Sequence, residues 1–247
     1  MTPTGWLLWC LIAFSFGSIP FGVLLAKLKK IDLRTVGSGN TGATNVGRAL
    51  GRRWGVLCFV LDAAKGATPV ILAGMTAGII GQTTGGLTAA EASGWLAVGV
   101  AAILGHVFSP FLNFKGGKGV ATACGALLAM WPLMTIPVLV AAGVFIVVIL
   151  SLGFMSLASM AAASAVPCTA LILGLIGTDG QSAWGAVLPQ TITGLVIAFM
   201  VIWRHRSNLR RLLDGTEPRV FGAGRMTRES NSGDTPSDRN TTSTNRH

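Results

Sequence analysis

Residues 37–53 read GSGNTGATNVGRALGRR, five glycines interleaved with Ser38, Asn40, Thr41, Thr44 and Asn45 and closed by Arg48, Arg52 and Arg53. Glycines such as Gly37 let backbone amides converge on an anion, hydroxyl and amide side chains add hydrogen bonds, and arginines supply bidentate charge. A phosphate cradle needs that combination. A solvated polybasic loop at a membrane surface would supply the charge, but it does not account for the regular alternation of glycine with hydrogen-bonding residues. The embedded GSGNTG matches the dinucleotide fingerprint GxGxxG, which works only between a strand and a helix of a soluble βαβ unit. Here a polar connector follows one apolar run, and Asp62 opens another. Asp62 and Lys65, at i and i+3, are expected to pair with each other at the membrane edge.

A second stretch, residues 105–122, reads GHVFSPFLNFKGGKGVAT. Its KGGKG is not a Walker A loop, because Gly119 rather than Ser or Thr follows Lys118, so ATP hydrolysis is set aside. Lys115 and Lys118, on the frame of Gly116 and Gly117 and leading straight into an apolar segment, form an anion site at a helix N-terminus. The third stretch, WRHRSNLRRL at 203–212, puts His205 and Asn208 on one helix face and its arginines on others. Snorkelling to headgroups explains the arginines. It does not explain His205 with Asn208, which we read as functional. Ser156 and Ser159 lie in SLGFMSLAS, residues 151–159, where polar residues among small ones also suit helix packing. There is no metal-ligand cluster, no GxSxG elbow and no HxxxxD pair, since Phe111 and Arg210 stand five positions after His106 and His205.

What positions these residues is a membrane. Of 247 residues 51% are hydrophobic and only 11% charged, and the mean hydropathy is +0.63. A net charge of +10 would suggest a nucleic-acid partner in a soluble chain; in this one it marks basic loops, and no nucleic acid is expected. Cys10, Cys58, Cys124 and Cys168 lie far apart in apolar stretches and imply neither disulfides nor zinc. Runs free of Asp, Glu, Lys, Arg and His cover residues 1–26, 66–90, 92–105, 119–178 and 180–203. The fourth is long enough for three passes, with breaks expected at Trp131 and Pro132 and around 151–153. Every Lys and Arg falls within 27–65, 115–118 or 204–246, and the positive-inside rule places all three regions in the cytoplasm. That parity requires counting the short segment 120–131. The expected fold is therefore an all-α polytopic membrane protein of seven transmembrane helices, one of them short. Its N-terminus is outside, its C-terminus cytoplasmic, and its cytoplasmic loops are glycine-rich or re-entrant. Residues 1–26 lack the basic n-region and cleavage site of a signal peptide and are expected to stay as the first helix. Residues 1–213 form one membrane domain, and 214–247 read as a polar, disordered tail.

The strings GSIPFG, VGSGNTGATNVGRALG, LDAAKG, GHVFSPFLNFKGGKGVATACG, SLAS and RHRSNLRRLL, in that order over residues 17 to about 213, resemble the acyl-phosphate-dependent glycerol-3-phosphate acyltransferases. These are integral enzymes of the bacterial cytoplasmic membrane that start phospholipid synthesis. The resemblance implies transfer of a fatty acyl group from acyl phosphate to the 1-hydroxyl of glycerol 3-phosphate, giving lysophosphatidic acid and inorganic phosphate at the cytoplasmic face. It implies no cofactor, no metal, and neither acyl-coenzyme A nor a carrier protein as donor. Ser38, Arg48 and Lys118 match family positions implicated in phosphate binding, and His205 and Asn208 match polar positions lining the substrate site. Gly37, Asn40, Thr44, Asn45, Lys115, Gly116, Gly117, Ser156 and Ser159 lie within the motifs as expected substrate or phosphate contacts. The chain departs slightly in HVFSP, where many relatives have proline one place earlier.

The alternative from another class is an organic-phosphate transporter, which also uses half-helices and basic glycine loops. Against it, no repeat symmetry is visible and the basic motifs share one face. For an acyltransferase, the residues predict substrate-assisted catalysis: the donor phosphate accepts the hydroxyl proton, while Asn208 or backbone amides steady the carbonyl. His205 is the one rival base, and as such would titrate near its ordinary value of about 6.5.

Overall fold

The computed structural model describes residues 1–176 and 184–220, and among these all regular structure is helical. Helix α1 (Pro3–Gly17) starts under the Thr2 side chain, which accepts from the Gly5 amide at 3.2 Å, with Pro3 at its first position. The chain breaks at Ile19 and Pro20 and resumes as α2 (Phe21–Leu28), the two forming one apolar stretch, Pro3–Leu28. Helix α3 (Ala43–Leu50) is short, and α4 (Arg52–Ala77) is long, ending at Gly78 in the left-handed conformation. Helix α5 (Ala89–Val107) begins with a capping box of Thr88 and Glu91. Then follow α6 (Val120–Leu128), α7 (Thr135–Leu152), α8 (Met155–Ile176), α9 (Trp184–Arg204) and α10 (Arg206–Leu213).

Six stretches are long and apolar enough to cross a membrane: Pro3–Leu28, Arg52–Ala77, Ala89–Leu112, Thr135–Leu152, Met155–Ile176 and Val187–Arg204. The second begins at Arg52, not at residue 66 where the charge-free run starts. Asp62 and Lys65 therefore lie well inside a 26-residue helix and not at its edge. They are compatible with that depth because they neutralise each other, Lys65 Nζ standing 2.8 Å from Asp62 Oδ1. The short segment expected at 120–131 is the nine-residue α6, which rises about 13 Å against a hydrocarbon core of about 30 Å. It runs parallel to α4: a Cβ on Gly66 would lie 2.3 Å from the Thr122 carbonyl oxygen, and the Gly81 amide donates to the Trp131 carbonyl at 3.1 Å. The breaks expected near Pro132 and Gly153 separate α6 from α7 and α7 from α8. The connection expected around 177–183 and tail residues 221–247 lie outside the described residues.

Helix α5 is the most enclosed of the spans and carries the core. Trp95 is fully buried there and donates its indole N–H to the Val70 carbonyl at 2.9 Å. Apolar faces gain little by contacting one another in lipid, so close backbone approach at small residues holds such helices together. Gly105 touches the Phe14 carbonyl of α1 and Gly125 the Ala63 carbonyl of α4. The ends of α2, α5 and α9, the starts of α4 and α6, and the α7–α8 turn all gather at one end of the bundle, where the three polar stretches meet.

Candidate active site

The first loop is held from within. Asn45, 2% exposed, accepts the Ser38 amide on Oδ1 at 2.9 Å and donates Nδ2 to the carbonyls of Leu33 and Val36 at 3.1 and 3.0 Å. Both amide protons are thus engaged within the loop, so the Asn45 side chain, expected at the phosphate, here shapes the loop. Gly37 takes φ +60° directly over the Asn45 side chain, where a Cβ would lie 2.4 Å from Oδ1. Asn40 Oδ1 accepts from the Gly42 amide at 3.1 Å. Ser38, Thr44 and Arg48 stay exposed around the start of α3, where, among the described residues, the Ala43 and Thr44 amides have no acceptor.

The second loop is gripped from both sides. The amides of Gly116 and Gly117 donate to the carbonyls of Val107 and His106 at 3.1 and 3.2 Å, and Arg204 donates to the Gly116 and Gly117 carbonyls at 2.6 and 3.2 Å. Gly116 and Gly117, expected as phosphate contacts, thus have their amides engaged with the end of α5. Among the described residues no acceptor takes the amides of Lys118 or Gly119, and these open onto the start of α6. Gly119 itself sits at φ +82°, which turns the chain into the helix. Lys115 is exposed beside them.

Lys118 connects the second loop to the third. Its Nζ donates to Asn208 Oδ1, Asn208 Nδ2 donates to Glu217 Oε1 at 2.7 Å, and Ser156 Oγ donates to the same oxygen at 2.7 Å. Arg211 Nε donates to Glu217 Oε2 at 2.8 Å. Burial raises the Glu217 pKa, but the hydrogen bonds from Asn208, Ser156 and Arg211 outweigh it and hold the carboxyl below its usual range. Lys118 is pushed down to about 8, first by burial and then by Arg211, Arg48 and Arg204, with Glu217 opposing. Arg48 thereby shares one electrostatic field with Lys118. Near neutral pH, burial and the Lys118 charge keep His205 uncharged, its pKa pushed down to about 4. The His205 Nδ1–H donates to the Val201 carbonyl at 2.8 Å, leaving the Nε2 lone pair open.

The fold thus brings Lys118, Arg48, His205, Asn208 and Ser156 together. Ser159 is buried, and its hydroxyl donates to the Met155 carbonyl of its own helix at 2.8 Å. Three groups escaped the sequence reading: Arg204, taken for a headgroup anchor, Arg211, and above all Glu217. The last falls in the segment expected to be tail, yet it is 9% exposed, and the Val220 amide pairs with the Gly153 carbonyl at 2.8 Å. A carboxylate shortly after four arginines was the available signal. Among the described residues no group of three or more His, Cys, Asp or Glu side chains could hold a metal ion.

A family model described as "Glycerol-3-phosphate acyltransferase" matches residues 7–215. The chain is 43% identical over 206 residues to the glycerol-3-phosphate acyltransferase of Geotalea daltonii, covering 83% of this chain and 92% of that one. It is 44% identical over 214 residues to that of Trichlorobacter lovleyi, covering 87% and 97%. The fold is similar to a crystal structure of PlsY, an integral membrane glycerol 3-phosphate acyltransferase, in its glycerol 3-phosphate form. The TM-score is 0.71 at 38% identity, over 88% of this chain and 96% of that one. The lysophosphatidic acid form of PlsY matches at a TM-score of 0.68 and 37% identity, over 87% and 94%.

Proposed function

The chain belongs to the glycerol-3-phosphate acyltransferase family, and on that premise we propose that it moves a fatty acyl group from acyl phosphate to the 1-hydroxyl of glycerol 3-phosphate. The products are lysophosphatidic acid and inorganic phosphate. That it is a membrane acyltransferase of phospholipid synthesis follows from its family; the donor, the hydroxyl and the residues are our reading. The observation that carries it is Lys118, held by Asn208 at the start of α6 beside two amides that have no acceptor among the described residues. Such a place receives a phosphate group.

In this reading the Lys118 ammonium and the α6 amides take one phosphate, and Ser38, Arg48 and the α3 amides take the other. The acceptor hydroxyl attacks the acyl carbonyl carbon, the bond from that carbon to the phosphate oxygen breaks, and the proton passes to the departing phosphate. His205, neutral and with Nε2 open, accepts a hydrogen bond from the hydroxyl and orients it. Asn208 Nδ2 gives one of its two protons to Glu217 and keeps the other, so Asn208 or backbone amides steady the carbonyl. Proximity and charge screening supply most of the acceleration. Purified protein in lipid is expected to release inorganic phosphate when given acyl phosphate and glycerol 3-phosphate, and none when acyl-coenzyme A replaces the donor. Counterflow of glycerol 3-phosphate without phosphate release would overturn the reaction.

The same reading puts the site on the cytoplasmic face of a bacterial inner membrane, the N-terminus outside and α6 counted as a seventh crossing. What supports this is that, apart from Lys65, which is paired with Asp62 inside α4, the Lys and Arg residues lie at or beyond the ends of the spans on the site's side and in the C-terminal region.

A further inference from the structure

Asp62, Lys65 and His106 stand apart from the phosphate-facing cluster, yet they touch the foundations of both glycine loops. Lys65 pairs with Asp62 and donates to the Ile19 carbonyl at 2.6 Å, at the break between α1 and α2. Just beyond that break Gly22 packs so closely on the first loop that a Cβ would lie 1.9 Å from the Thr41 carbonyl oxygen. On the other side Asp62 Oδ1 lies 3.7 Å from His106 Nδ1. His106 is the floor of the second loop: its carbonyl accepts the Gly117 amide, and a Cβ on Gly117 would lie 2.2 Å from its Nε2. Ser109 Oγ ties the two foundations together by donating to the Ser18 carbonyl at 2.6 Å. Thr41 of the first loop and Gly117 of the second line one narrow cleft with Asp62, Lys65 and His106.

Charge is costly at that depth, and an apolar pair could pack α4 equally well. Direction is what the charges add, since one helix turn reaches the base of the first loop through Lys65 and that of the second through Asp62. We infer that Asp62 and Lys65 are positioning residues that fix the separation of the two phosphate-holding loops, so that donor and acceptor meet in register. This rests on the two-phosphate reaction proposed above.

The test is Asp62→Asn with Lys65→Met, which removes both charges together and strands neither. In bilayers the double variant is expected to lose about 10²-fold in kcat, the scale of a displacement of about 1 Å, with KM for glycerol 3-phosphate within about threefold of the parent's. Spin labels at Arg34→Cys and Asn113→Cys, with Cys10, Cys124 and Cys168 replaced by alanine, should show a broadened distance distribution. Lys65→Arg alone, which keeps the pair with Asp62, should retain both readouts. An unchanged kcat with an unchanged label distance overturns the inference, as does a rise in KM at constant kcat, which would mean substrate contact. Should the double variant not insert, Ser109→Ala replaces it: a 5- to 10-fold loss of kcat at constant KM is expected on the order of one lost hydrogen bond, and an unaltered kcat overturns the inference. Parent protein that releases no phosphate overturns the reaction instead, leaving the label distances to decide the positioning role.

Discussion

Lys118 and Arg48 are expected to act on charge developing at phosphate, where removing one preorganised contact costs about 3 kcal/mol, or 10²- to 10³-fold in rate. Lys118→Ala and Arg48→Ala should each show that loss in phosphate release, with insertion intact, while exposed Arg53→Ala stays within about threefold of the parent. Similar losses at Arg53 and Arg48 would mean that only general basicity matters. The pH dependence has a definite sign. Lys118 must be protonated to hold an anion, so kcat/KM for glycerol 3-phosphate should fall as pH rises through about 8. Unfolding is not the cause, because a lysine whose folded pKa lies below its unfolded value leaves the unfolded chain holding more protons. Its contribution to stability therefore rises with pH from about 8 to 10.5. His205 gives the matching control: uncharged above about 4, it should produce no limb near 6.5. A limb there that disappears in His205→Gln would restore a protein base.

The second glycine loop sits between His106 below and Arg204 above, with no room for a side chain at Gly117. Gly117→Ala should cost about 1–3 kcal/mol through overpacking, read as a lower melting temperature and a weaker response to glycerol 3-phosphate. A melting temperature equal to the parent's would show that the loop is free to move. At this scale the sequence was legible wherever function is written in residue type and spacing: KGGKG, the glycine-rich string, and His205 with Asn208. It was silent on which atoms remain free. Nothing in GSGNTGATN says that Asn45 turns inward while Ser38 stays out, nor that the amides of Gly116 and Gly117 are already bonded to the end of α5. His106 and Asp62 meet only because α4 and α5 pack together, and the charges of Asp62 and Lys65 disguised the first half of α4 as a connector.

For the whole molecule, sidedness is the decisive measurement. Single cysteines at Gln82 and Asp214, both exposed, should label from opposite sides of a sealed vesicle, Asp214 from the cytoplasmic side. Labelling from one side would remove the parity that makes α6 a crossing. Glu217, finally, has a consequence for the order in which the protein becomes an enzyme. The carboxylate that seats Asn208 and Arg211 follows every described helix, and its partner Ser156 precedes it by 61 residues. Every described span therefore lies upstream of the residue that completes the centre, and the bundle can insert without it. A released chain truncated after residue 216 should insert and resist extraction yet turn over no acyl phosphate, and extension to residue 220 should switch it on. Turnover already present at 216 would mean that Asn208 and Lys118 align without Glu217.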